Sequence, residues 1–181
     1  RLALQALALT GDPHAATAGV RDAFIAAGHH WKKVSRLADP EEWIRSRAWS
    51  MATRRHLAHP WHRDDQVNPE QSAVLRGLQQ LRDNQRRVLL LHHLAGQSSS
   101  DISAELGLTH TQAAQTLQDA IDAYTLALQI PSDHVQQSQH KLQPLVDLSH
   151  TPDADQLIRK GARRRVTALV LGCVGTVALV L

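Results

Sequence analysis

Two glycines divide the stretch from Asn84 to Ile130 into three helical runs, and that division limits the fold more than any other feature of the 181-residue chain. Apolar residues recur at helical spacing at Val88, Leu91 and Leu94, then at Ile102 and Leu106, then at Ala113, Leu117, Ile121, Tyr124 and Leu128. Gly96 ends the first run. Ser98-x-x-Asp101 offers a capping box for the second, Gly107 breaks it, and Thr109-x-x-Gln112 offers another that restarts the chain at once. A short helix, a glycine turn and a longer helix predict a helix-turn-helix.

The remainder also reads as helical. Leu2 to Leu9 is an apolar stretch stopped by Gly11 and Pro13. Ala15 to Trp31 places Val20, Phe24 and Ala27 on one face, and Asp39-Pro40-Glu41-Glu42 opens a helix with the stripe Ile44, Ala48 and Met51. No alternating β-branched run occurs, so the expected class is all-α, and the length allows one or two small domains. Only six residues are aromatic, which leaves the core to aliphatic helix packing. Cys173 is the single cysteine and excludes an internal disulfide or a cysteine zinc site. Charge is divided by segment: residues 1–87 carry fourteen Lys/Arg against nine Asp/Glu, and residues 88–140 none against five.

The string LRGLQQLRDNQRRVLLLHHLAGQSSSDISAELGLTHTQAAQTL resembles region four of the extracytoplasmic-function sigma factors of bacterial RNA polymerase. Gln85, Arg86, Val88, Leu89, Leu91, Gly96, Ser98, Ile102, Leu106, Gly107 and Leu117 fall in register, while Arg82 or Asp83 stands where the family has a proline. The resemblance implies a DNA-reading second helix, and its matching positions are Thr111, Gln112, Gln115 and Gln118. The family's basic residues are missing there. A segment of formal charge minus five is a poor neutraliser of phosphate, although glutamine pairs bidentately with adenine.

The segments LTGDPHAATAGVRDAFIAAGHHW and DPEEWIRSRAWSMATRRH resemble the latter part of sigma region two, whose first part is expected before Arg1. The resemblance implies a polymerase contact at Asp22 and Phe24, the two positions that survive of a longer acidic pattern. It also implies a grip on the melted promoter strand by Arg45, Arg47, Trp49, Ser50, Arg54 and Arg55, with Trp31, Lys32, Lys33 and Arg36 just upstream. The partners expected are RNA polymerase core, promoter DNA and an anti-sigma or other regulatory protein.

The expected division is a region-two-like domain at 1–56, a linker at 57–71, a region-four-like domain at 72–130, a polar tether at 131–158, and a basic flank with an apolar helix at 159–181. His56, His59 and His62 are spaced by three, but Pro60 breaks the helix that would align them, so no metal and no cofactor is expected. After Arg159, Lys160, Arg163, Arg164 and Arg165 come sixteen uncharged, mostly apolar residues to Leu181. A membrane span needs about 20, so a single-pass helix continuing past Leu181 is expected, with the preceding domains cytoplasmic by the positive-inside rule. No phosphate loop, zinc-protease motif or nucleophile elbow is present, and the chain is not expected to be an enzyme. Two functions stay open: a membrane-tethered transcription initiation factor, and a sigma-fold adaptor that has lost promoter recognition.

Overall fold

The computed structural model describes residues 1–58 and 67–146, and among these every regular element is helical. The order is α1 (Leu2–Thr10), α2 (Pro13–His29), α3 (Trp31–Val34), α4 (Pro40–Ala58), α5 (Pro69–Gln80), α6 (Asp83–Leu90), α7 (Ser99–Leu106), α8 (His110–Leu128) and α9 (Val135–His140). Local chemistry sets the boundaries. Gly11, Gly96 and Gly107 adopt φ of 75°, 74° and 65°, which a β-carbon disfavours, and each ends a helical segment. Asp12 caps α2 by accepting from the Ala15 amide at 2.8 Å, ahead of Pro13 at the first helical position. Both expected capping boxes form, at Ser98 with Asp101 and at Thr109 with Gln112.

α1 is the centre of the molecule. Every residue from Ala3 to Thr10 is buried, because the helix is apolar on all sides and has neighbours around it. It packs against α2 and α4, and also against α5 and α6. α2 and α4 approach so closely that a β-carbon on Gly19 would lie 2.6 Å from the Ala52 amide nitrogen. Side chains then join the first helices to the later ones. Arg86 donates to the carbonyls of Leu9 at 2.9 Å, Leu78 at 2.8 Å and Leu81 at 3.0 Å, so one guanidinium closes the open ends of α1 and α5. Gln5 donates to the Leu94 carbonyl, and Arg1 to that of Ala95. One continuous apolar core therefore runs through both expected domains, from Leu4 and Trp49 to Leu78, Leu90 and Tyr124. The two expected domains thus share α1 and one core.

α6 continues into a π-helical turn over Leu91–Ala95. Leu91, Leu94 and Ala95 are buried there, and burial together with the neighbouring His92 holds the His93 imidazole down at about 4. The expected tether is also corrected in its first part. Val135, Leu142 and Val146 are buried in the common core, the Tyr124 hydroxyl meets that of Ser138 at 2.9 Å, and Gln71 donates to the Lys141 carbonyl at 3.1 Å. Residues 132–146 are polar in composition yet spaced to bury these few apolar side chains. The rest of the tether, the basic flank, the apolar segment and most of the expected linker, with His59 and His62, lie outside the described residues.

Candidate nucleic-acid interface

α7 and α8 meet at Gly107 as a helix-turn-helix, held by Ile102 and Ala113 in the core. The start of α8 faces solvent. Thr111, Gln112, Gln115 and Gln118 are all exposed, so the structure brings the four sequence candidates onto one outward surface. Their amides already have partners. The Gln112 carbonyl oxygen accepts from the Thr109 amide at 2.9 Å, Gln115 donates to Asp119 at 2.7 Å, and Gln118 donates to Asp122 at 2.9 Å. The two carboxylates thus sit beside the glutamines that would face bases, and a duplex approaching here meets negative charge first.

α4 supplies the other candidates, and the structure divides them. Arg45, Ala48, Trp49 and Ala52 fall at i, i+3, i+4 and i+7 and form the buried stripe. Arg45 is fully buried, with its Nη2 2.8 Å from Glu105 Oε2 on α7 and its Nε 3.3 Å from Oε1. The bidentate pair clamps the first half onto the helix-turn-helix. Trp49 is 2% exposed, and the Arg87 guanidinium of α6 lies 6.0 Å from its ring centre. Both residues are therefore corrected from strand contacts to core. An apolar stripe needs filling wherever it faces a neighbour, and a paired arginine can fill it.

Arg55 is placed differently. It forms an ion pair with Asp22, so a residue expected on DNA and one expected on polymerase lie side by side across α2 and α4. Phe24 is 47% exposed and lines a shallow apolar hollow with Leu2, Val20 and Ile44.

Arg47, Ser50 and Arg54 remain exposed on the opposite face of α4. They line a groove of about 600 Å³ with Leu37, Asp39, Glu42, Trp43, Ser46 and Met51. Arg47 lies over the Trp43 ring at 5.1 Å, and His30 meets that ring edge-on with centroids 6.4 Å apart. The groove thus offers guanidinium groups around a partly open indole, which are the groups that take an unstacked nucleic-acid strand. Trp43 is the contributor that charge counting passed over; its signal was its place one helical turn before Arg47. Among the described residues no cluster of three metal-ligating side chains exists, and His56 is turned toward Asp12 at 3.5 Å.

Residues 71–122, which contain most of α5, all of α6 and α7 and most of α8, match the family model for sigma-70, region 4. The comparisons with curated proteins and with solved structures returned no match.

Proposed function

We propose that the chain is a sigma-like transcription initiation protein that binds RNA polymerase core and promoter DNA and is tethered to the membrane by its C-terminal segment. The observation that carries this reading is the region-four match over a folded helix-turn-helix whose second helix faces outward. In this reading the strand contact lies in the α4 groove, with Arg47 and Arg54 on phosphates and Trp43 against a base. α8 contributes little affinity, since Asp119 and Asp122 lie on its outer face. Those carboxylates favour the second reading, an adaptor in which the same fold engages a protein and no promoter.

The test begins with retention of core polymerase by the full-length protein. Retention together with single-strand binding supports the initiation reading, and retention without nucleic-acid binding selects the adaptor. Failure on both counts refutes the proposal. The salt dependence locates the contact: log affinity for a single strand falls by about 0.7 per phosphate neutralised, so Arg47→Ala/Arg54→Ala should make the slope shallower by about 1.4. Substituting Gln115 and Gln118 should leave that slope unchanged.

A further inference from the structure

Among the described residues, the α3 corner is a cationic surface that has no part in the proposed function. Trp31 is 59% exposed at the start of α3, Lys32 and Lys33 follow it, and Arg36 and Leu37 close the turn, also exposed. Val34, buried completely, pins the corner, which packs against α2. Lys32, Lys33, Arg36 and Leu37 surround a shallow hollow whose walls are mostly the aliphatic stems of the three cations and the leucine. None of the three has a carboxylate partner among the described residues.

An apolar floor, a cationic rim and a neighbouring exposed indole suit one environment in particular. At a bilayer surface the indole settles at headgroup level, aliphatic stems lie along the acyl boundary, and charged ends reach the phosphates. A strand-binding site is instead lined by polar groups beside a ring, as the adjacent α4 groove is. The chain also brings a bilayer within reach. Twelve residues, Asp147 to Ile158, separate the described body from the basic flank and the apolar segment. Extended, they span about 40 Å. A body of this size has a radius of gyration of about 15 Å, so the tether about matches its width, the membrane is within reach of more than the face nearest Val146, and charge favours a basic one. The carboxylate-bearing face of α8 is repelled by anionic lipid, and the α3 corner is attracted.

We propose that the α3 corner docks on an anionic bilayer surface, with Lys32, Lys33 and Arg36 on lipid phosphates and Trp31 and Leu37 at the acyl boundary. The proposal rests on the reading of Arg159–Leu181 as a membrane anchor, and it gives the anchored body a fixed orientation.

The experiment uses the full-length chain with vesicles of brominated phosphatidylcholine, with and without brominated phosphatidylglycerol, and reads tryptophan quenching. Trp31→Phe isolates the Trp31 signal from the other tryptophans. Quenching of Trp31 is expected in the phosphatidylglycerol vesicles. Lys32→Gln/Lys33→Gln/Arg36→Gln should lower the docking equilibrium about 100-fold. Equal quenching in both lipids overturns the proposal, as does an unquenched Trp31 in a chain that floats with the vesicles. A chain that does not float refutes the anchor alone; Trp31 quenching when it meets added vesicles then decides the docking. Loss of single-strand binding in the triple variant with quenching unchanged assigns the cations to nucleic acid and overturns it.

Discussion

Arg45→Ala tests the internal clamp and separates it from a nucleic-acid role. Arg45 is fully buried and the side chain of Glu105 is 11% exposed, so the substitution strands a carboxylate that water barely reaches. Removing one member of a buried pair costs about 3 to 5 kcal/mol, because the remaining charge keeps its desolvation penalty and loses its counter-charge. Glu105→Ala should cost a similar amount, since the remaining acid near Arg45 is Glu41 at 3.8 Å, half exposed to solvent. The double variant should be much less destabilised than the sum, because it leaves no unpaired charge. Urea unfolding of the four proteins gives the coupling energy directly, and about 2 kcal/mol or more is expected from the cycle. The surface arginine Arg47 is the control: Arg47→Ala should change stability by less than about 0.5 kcal/mol. If Arg45→Ala unfolds at the same urea concentration as the parent and loses strand affinity instead, the burial argument is refuted and Arg45 is a surface contact.

Gly19→Val should destabilise by about 3 kcal/mol or more, since the new side chain meets the backbone of Ala52, which has no rotamer to yield; the thermal midpoint measures it. Tyr124→Phe should cost about 1 kcal/mol through the lost bond to Ser138, and truncation after Pro131 should cost more than that, both read by urea unfolding. The Tyr124 phenol, pushed up to about 12 by burial, should be missing from the absorbance titration near pH 10 in the native protein and present after unfolding. His93 binds its proton more weakly folded than unfolded, so its contribution is complete above pH 6.5 and is lost as the pH falls toward 4. The loss, discounted for partial exposure, is about 1 to 2 kcal/mol, and His93→Gln should flatten that part of the pH profile of the urea midpoint.

Features decided within one helical turn were legible in the sequence. The left-handed residues at Gly11, Gly96 and Gly107, the boxes at Ser98 and Thr109, and the order of helices all follow from neighbours three or four positions apart. Contacts between distant segments were not. Arg45 and Arg47 look alike in the chain, and what separates them is that Glu105, sixty positions on from Arg45, lies against one helix face. The stripe Arg45, Ala48, Trp49, Ala52 was a sign that the first of them turns inward, yet it competed with the alternative stripe Ile44, Ala48, Met51, which shares a residue with it. The even apolarity of Leu2 to Leu9 marked a helix enclosed on all sides; which elements enclose it depends on the path of the whole chain. At the interface, the placement of the four α8 residues on one surface was legible from spacing, and the bonds that occupy their amides were visible only once the side chains were in place.

The π-helical turn over Leu91–Ala95 works as a splice that takes up one surplus residue. Such a turn is wider than the α-helical path it interrupts, so its residues and an α-helical stretch one residue shorter sweep about the same angle and rise about the same distance. Removing one residue between Leu91 and Ala95 would restore the regular ladder and leave the helix-turn-helix pointing as it does now, with Glu105 still toward Arg45. Removing one residue from α6 itself, where no wider turn absorbs the change, would turn everything beyond it by about 100°. A relative without the surplus residue would align with this chain through a one-position gap at the turn and could still present its second helix the same way.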